Sequence, residues 1–205
     1  MAKLARADLS TALVANSGVP YRMLGSFDTP WPQARCAGPA LTVSGRTGDN
    51  AALYHGLESA RPGCVLVVAL VGAGAAGHWG SLLTQAALAA GVAGLVIDGT
   101  VRDRVELAEL GLPVFHRGLC PAKAGKSDRG VAGDPVAIDG ERIETGDLIV
   151  ADVDGVVAVD AELEDELLER AAAVLEEESQ IERRIGAGVP LLEAFGLPDL
   201  PGYRR

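Results

Sequence analysis

Val65-Leu66-Val67-Val68-Ala69-Leu70-Val71, followed at once by Gly72-Ala73-Gly74-Ala75-Ala76-Gly77, decides the fold class of this chain. A seven-residue apolar run with no polar face reads as a strand covered on both sides, the kind found inside a layered sheet. The glycine-rich turn then leads into a helix predicted over Gly80 to Ala90. The same alternation repeats: Val92 to Ile97 is a second buried strand, Asp98-Gly99 a turn, Arg102 to Leu110 a helix, and Pro113 to His116 a short strand. Strands alternating with helices predict a layered α/β core.

Before this block, Asp8 to Asn16 reads as a short helix stopped near Gly18-Val19-Pro20, and Gly25 to Pro39 as irregular. Ala40 to Arg46 alternates like a strand, and Asn50 to Ser59 reads as a helix capped by Asp49 or Asn50. After it, residues 121–134 are loop-like, and strands are expected at Pro135 to Ile138, Leu148 to Asp152 and Val156 to Val159. That strand-rich run breaks simple βαβ repetition and fits a β/β/α layered domain better than a doubly wound sheet. The chain closes on a long helix, with Leu163, Leu167, Ala171, Val174, Ile181 and Ile185 on one stripe. Glu178 lies on that stripe, where a carboxylate is costly unless it is paired or meets a wet cavity. The expected division is a core over residues 1–160 and a C-terminal helix and tail over 161–205.

With 205 residues, 48% of them hydrophobic and only 4% aromatic, the chain can bury one aliphatic core. A formal net charge of −10 argues against nucleic-acid binding, because no basic stripe is available for phosphates. The apolar run Val65 to Ala76 is too short and glycine-rich to span a bilayer. Cys36, Cys64 and Cys120 form no CxxC pair, and Met1 to Asp8 lacks an apolar signal core. These features lead to the expectation of a cytoplasmic protein with reduced thiols and no membrane partner.

Gly72-x-Gly74-x-x-Gly77, with Asp98 closing the next strand, mimics a dinucleotide-binding fingerprint. His78-Trp79-Gly80 intrudes where a tightly packed helix should begin, the motif sits well inside the chain, and after Asp98 the pattern departs from further βαβ units. The physics of the turn survives without the nucleotide. Free N–H groups and the positive end of a helix dipole, around Gly80, Ser81, Leu82 and Leu83, suit a carboxylate as well as a phosphate.

A second constellation, Asp98-Gly99-Thr100-Val101-Arg102-Asp103-x-x-Glu106, lies beyond a strand's carboxyl end, where open α/β sheets hold ligands. Arg102 offers a planar fork for a carboxylate or a developing enolate oxygen. Asp103 offers a hard oxygen for Mg²⁺ or Mn²⁺. A surface Arg-Asp pair at a helix start has the same local sequence. His78 stands beside the turn as a candidate proton shuttle or water ligand, while His116 and Arg117 end a strand.

Gly94 to Asp103, Pro113-Val114-Phe115-His116-Arg117-Gly118, and Gly146 to Val157 together resemble the RraA-like family, over about Ala40 to Gly188. That family includes 4-hydroxy-4-methyl-2-oxoglutarate aldolases, and some members were formerly labelled demethylmenaquinone methyltransferases. The resemblance implies a swivelling β/β/α fold, homotrimers or hexamers with sites between subunits, a divalent metal and pyruvate chemistry. It also implies roles. Arg102 would bind the 2-keto acid, Asp103 would hold the metal, the Leu83 amide would assist, and a Glu from a neighbour's C-terminal helix, aligned here with Glu178, would complete the site. Glu106 matches the end of the aldolase pattern. The first position of that pattern is acidic in the aldolases and is Ser81 here, which can bond a water but supplies no charge. Founding members of the family are protein inhibitors of a ribonuclease, so a non-catalytic regulator is the alternative expectation.

Overall fold

A computed structural model describes residues 4–197 of the chain. Its strands are β1 (Arg22–Met23), β2 (Cys36–Arg46), β3 (Val65–Val71), β4 (Gly94–Val101), β5 (Val114–Leu119), β6 (Val131–Ala132), β7 (Val136–Ile138), β8 (Glu141–Ile143), β9 (Leu148–Asp152) and β10 (Gly155–Val159). Its α-helices are α1 (Thr11–Asn16), α2 (Ala51–Ser59), α3 (Ser81–Ala89), α4 (Arg104–Leu110), α5 (Glu164–Gly186) and α6 (Leu191–Ala194).

Strand β2 joins two different halves of one curled sheet. Its start pairs antiparallel with β9, Cys36 opposite Ala151 and Pro39 opposite Leu148. Its remainder pairs parallel with β3, Ala40 opposite Val65 and Arg46 opposite Val71. The strand order is β1-β10-β9-β2-β3-β4-β5, with β6 also on β2 and β7–β8 a separate hairpin. Neighbours β3, β4 and β5 run parallel, whereas β9, β10 and β1 run antiparallel. This is the expected layered α/β fold with a long C-terminal helix, in which the parallel half carries its helices on one side and the antiparallel half on the other.

Period-two alternation sorts the parallel strands between two cores. Leu66, Val68 and Leu70 of β3 pack with Leu53 of α2, Leu83 and Ala87 of α3, and Leu107 of α4. Val65, Val67 and Ala69 face the other way, toward Ile138, Ile143, Ile149 and Ala151. A third cluster joins the outer face of β9–β10, through Leu148, Val150, Val157 and Val159, to Leu13 and Val14 of α1 and to Leu167 and Ala171 of α5. Fully burying a Leu side chain contributes about 1.5–3 kcal/mol, so these three clusters hold the layers together.

Several boundaries differ from the sequence expectation. β2 begins at Cys36, inside the segment read as irregular, because β9 supplies its ladder partner. The short strands β1, β6 and β8 exist only through pairing with distant or hairpin neighbours. α4 starts at Arg104, two residues later than expected. Asp103 before it is left-handed (φ 59°, ψ 41°), a conformation that cannot continue a right-handed helix.

The apolar stripe of α5 is core only in its first half. Leu167 and Ala171 are buried, while Ile185 is 44% exposed. Glu178 is also exposed, and its Oε1 accepts from Asn16 Nδ2 at 3.3 Å. Among the described residues, no helix is long and apolar enough to cross a membrane.

Candidate functional site

Helix α3 starts at Ser81, four residues past Gly77, and the intervening segment is extended rather than helical. Trp79 bridges to Val101 and Gly77 to Lys123, which stitches the turn onto the end of β4 and onto the segment after β5. Three backbone bonds complete the join: His78 N to Thr100 O (3.0 Å), Arg102 N to Trp79 O (2.9 Å) and Gly77 N to Ala122 O (2.8 Å). The glycine turn therefore serves close packing against Arg102. A Cβ on Gly77 would lie 2.8 Å from Arg102 Cδ and 2.5 Å from Cys120 O. A Cβ on Gly80 would lie 2.5 Å from Asp103 Oδ2.

These contacts open a cleft of about 260 Å³ whose walls include Gly80, Ser81, Leu82, Leu83, Arg102 and Asp103. The sequence-predicted substrate residues thus converge, and His78 borders the same cleft. Asp103 Oδ2 accepts from Ser81 N (3.0 Å) and Ser81 Oγ (3.1 Å), so its carboxylate sits against the positive end of α3. Arg102 Nε lies 3.8 Å from Asp103 Oδ1. The left-handed backbone at Asp103 costs on the order of 1 kcal/mol, and the two Ser81 bonds hold it there. The first-turn N–H groups of Leu82 and Leu83 have no acceptor within the helix, which leaves them available to an anion.

The walls also include Asn50, just before α2, Tyr54 of α2, and Lys123 and Lys126 from the segment after β5. Lys126 Nζ donates to Tyr54 Oη (2.6 Å) and lies 4.4 Å from the ring centroid. Sequence reading passed over the lysines because residues 121–134 read only as loop. Their position just beyond β5, at the ligand-binding end of the parallel strands, is the signal that marks them. Asn50 was expected as an alternative cap of α2. Asn50 does hold the N-cap position but makes no capping bond with its side chain, and Asp49 before it supplies the acceptor, its Oδ1 accepting from Ala51 N at 2.9 Å. Burial opposes ionisation of Asp49, but bonds from the Ala51, Ser127 and Asp128 amides and the Ser127 hydroxyl outweigh it and hold the pKa at about 2.

Other candidates lie elsewhere. Asp98 does not line the cleft, since its Oδ1 accepts from Arg117 Nε at 2.8 Å. Arg117 also bonds Asp139 Oδ2 (2.6 Å) and stacks on Phe27 (3.9 Å to the centroid), tying three elements together. Glu106 is exposed on α4 and outside the cleft walls. Glu178 does not reach its own chain's cleft. Asp152 Oδ1 accepts from Asp154 N (3.0 Å) and from Thr11 Oγ1 (2.7 Å), which is turn and helix-start chemistry.

His78 is almost wholly buried, at 1% exposure, and both ring nitrogens are engaged. Nε2 accepts from Gly48 N (2.9 Å), which leaves Nδ1 to donate to Thr100 O (3.1 Å). This is the neutral tautomer, and neither nitrogen is left over for a proton shuttle. Burial lowers the pKa of His78 and of His116 below 6.5. As pH falls through 6.5 the unfolded chain takes up protons that these folded imidazoles refuse, so stability present above that pH is lost below it. Thermal unfolding is expected to show a lower midpoint at pH 5.5 than at pH 7.5, and His78→Gln should flatten part of that slope. An unchanged slope in His78→Gln would remove His78 from the account.

Comparison with known proteins follows this geometry. Residues 7–158 match the RraA-like family, described as Aldolase/RraA. A Halalkalibacterium halodurans protein provisionally named 4-hydroxy-4-methyl-2-oxoglutarate aldolase is 34% identical over 158 residues, 77% of this chain and 75% of that protein. An uncharacterized Pseudomonas syringae pv. tomato protein superposes with TM-score 0.81 at 32% identity, covering 92% of this chain and 90% of its own. The RNA-processing inhibitor RraA of Thermus thermophilus gives TM-score 0.69 at 28% identity, covering 75% of this chain and 93% of its own.

Proposed function

Because this chain belongs to the RraA-like family, we propose that it is a divalent-metal-dependent lyase cleaving 2-keto acids to pyruvate. The observation that carries this reading is the convergence of Arg102, Asp103 and the start of α3 on one cleft whose other charged walls are Lys123 and Lys126. Three cationic side chains and a helix N-terminus suit an anionic metabolite despite the acidic chain as a whole.

Asp103 is the residue that would hold Mg²⁺ or Mn²⁺. Among the described residues no three His, Cys, Asp or Glu side chains converge as a metal site. One carboxylate still fits Mg²⁺, which binds through one or two carboxylates and fills its shell with waters and substrate oxygens. Ser81 adds no charge, so metal affinity is low. When bound, the ion supplies positive charge beside the substrate's 2-keto oxygen.

The protein's own groups do the rest. Arg102 and the amides of Leu82 and Leu83 bind the substrate carboxylate and orient the 2-keto group. In aldol cleavage the C3–C4 bond breaks, the hydroxyl carbon becomes a carbonyl, and the electron pair passes to the pyruvate enolate, which then takes a proton at C3. Arg102 stabilises that developing charge. Glu178 of a neighbouring copy takes the hydroxyl proton, directly or through a water. This requires an oligomer, here proposed as a homotrimer or hexamer, a reading supported by the apolar Leu82 (76% exposed) on the cleft wall, by Val105 (67% exposed) on α4, and by the exposed distal half of α5. Decarboxylation of oxaloacetate needs no such base.

The test is pyruvate release from oxaloacetate and from 4-hydroxy-4-methyl-2-oxoglutarate, with Mg²⁺, with Mn²⁺ and with chelator. Metal-dependent release above the free-ion background is the expected result. Its absence with both substrates favours the second reading, a regulator that binds a ribonuclease, for which Ser81 in the acidic position is the specific observation.

A further inference from the structure

The 18 basic residues of this chain include only three lysines, and two of the three, Lys123 and Lys126, stand in the cleft walls. Among the described residues no carboxylate pairs with either, so their charge is left for whatever enters. Lys126 is the more firmly held. Its Nζ donates to Tyr54 Oη at 2.6 Å and lies 4.4 Å from the ring centroid, so an uncharged side chain positions the ammonium without neutralising it. The same bond sets the phenol. Its oxygen accepts from Lys126, which leaves its own proton to donate elsewhere, beside two further N–H groups of the ammonium. Tyr54 is 39% exposed and Lys126 is exposed, so a ligand can reach these donors.

Arg102 and the first-turn amides of α3 form a separate donor set, carried by the end of β4 and the start of α3 rather than by α2 and the segment after β5. At about 260 Å³ the cleft is small for a ligand site, so one small molecule meets both sets. Two cationic donor sets around one molecule match two anionic groups on it. The Arg102 set takes the carboxylate beside the keto group, which leaves the Lys126–Tyr54 pair facing the other end of the substrate's carbon chain. We propose that Lys126 and Tyr54 are specificity-determining residues that receive a second, remote carboxylate, so that the cleft prefers 2-keto diacids to 2-keto monoacids. This rests on the 2-keto acid reading of the same cleft.

The test compares kcat/KM for 4-hydroxy-4-methyl-2-oxoglutarate and for 4-hydroxy-2-oxopentanoate, which lacks the remote carboxylate but can still be cleaved to pyruvate. It is run on the unaltered full chain, on Lys126→Met and on Tyr54→Phe. The unaltered protein is expected to favour the diacid. Lys126→Met, which keeps an unbranched stem without the charge, is expected to lower the diacid-to-monoacid ratio about tenfold, the low end for a hydrogen bond to a charged group because the pair is open to water. Tyr54→Phe keeps the ring beside the ammonium and is expected to lower the ratio less, about threefold. A ratio that stays constant in Lys126→Met, whether both activities fall together or neither changes, overturns the inference and leaves the lyase reading standing. If the unaltered protein releases pyruvate from neither compound, the lyase reading fails on its own. The inference is then read from thermal shift with 2-oxoglutarate against 2-oxopentanoate. A larger shift with the diacid, lost in Lys126→Met, supports it, and equal shifts or none overturn it.

Discussion

Arg102→Ala is expected to lower kcat/KM for pyruvate release by about 10²–10³-fold, the usual cost of deleting one well-placed donor to developing negative charge. The size of the effect follows from how firmly the side chain is placed. Its backbone is bonded to Trp79 O, and its aliphatic stem passes over Gly77 and Gly80, where a Cβ would meet Arg102 atoms at 2.8 and 3.2 Å. Lys123 and Lys126 supply charge nearby but neither has the planar fork, so Arg102→Lys should recover little. Asp103→Asn is the companion variant. Asn tolerates the left-handed backbone and still offers an oxygen to Ser81, so the change removes charge and leaves the local fold alone. Loss of the Mg²⁺ response in Asp103→Asn, with an unfolding midpoint close to that of the unaltered protein, is the expected outcome. Both side chains are partly exposed, and the charge lost from the positive end of α3 is expected to cost Asp103→Asn about 0.3–1 kcal/mol. Activity within twofold of the unaltered protein in Arg102→Ala would withdraw that residue from the site.

The largest effect on stability is expected at Trp79. Its ring is fully buried in the core beneath α2, α3 and α4, and its Nε1 donates to Thr84 Oγ1 at 2.7 Å. Thr84 Oγ1 passes the connection on to Gly80 O at 3.1 Å. Trp79→Ala leaves a cavity the size of an indole and is expected to cost about 3–5 kcal/mol. Trp79→Phe refills most of the volume but loses the bond to Thr84, for a cost of about 1–2 kcal/mol. Urea unfolding of the three proteins measures both values, provided the slopes agree. Because Trp79 also carries the backbone carbonyl that holds Arg102, residual folded Trp79→Ala should lose activity beyond what its stability explains. Equal stability of Trp79→Ala and the unaltered protein would contradict the packing described here.

The sequence by itself determined the parallel half of this fold. Uninterrupted runs such as Val65–Val71 are intelligible only inside a covered sheet, and the chemistry of Arg102-Asp103 follows from residue type and from its place beyond a strand end. The long helix was equally legible, because its stripe repeats at helical spacing. Local pattern could not supply whatever depends on a distant partner. β2 extends back to Cys36 only because β9 lies beside it, and β1, β6 and β8 carry too few residues to announce themselves without their neighbours. Glu178 sits on a stripe that reads as buried, but burial belongs to whatever covers a helix, and among the described residues the contact from Asn16 leaves Glu178 exposed. Asp98 looked like a site residue until Arg117, nineteen positions away, took its carboxylate. Tertiary structure alone brought Asn50, Lys123 and Lys126 to the cleft, because residues more than fifty positions apart meet through the packing of α2 and the segment after β5 on one sheet end. Sequence fixes what a side chain can do, and the long-range closure of the sheet decides which side chains do it together.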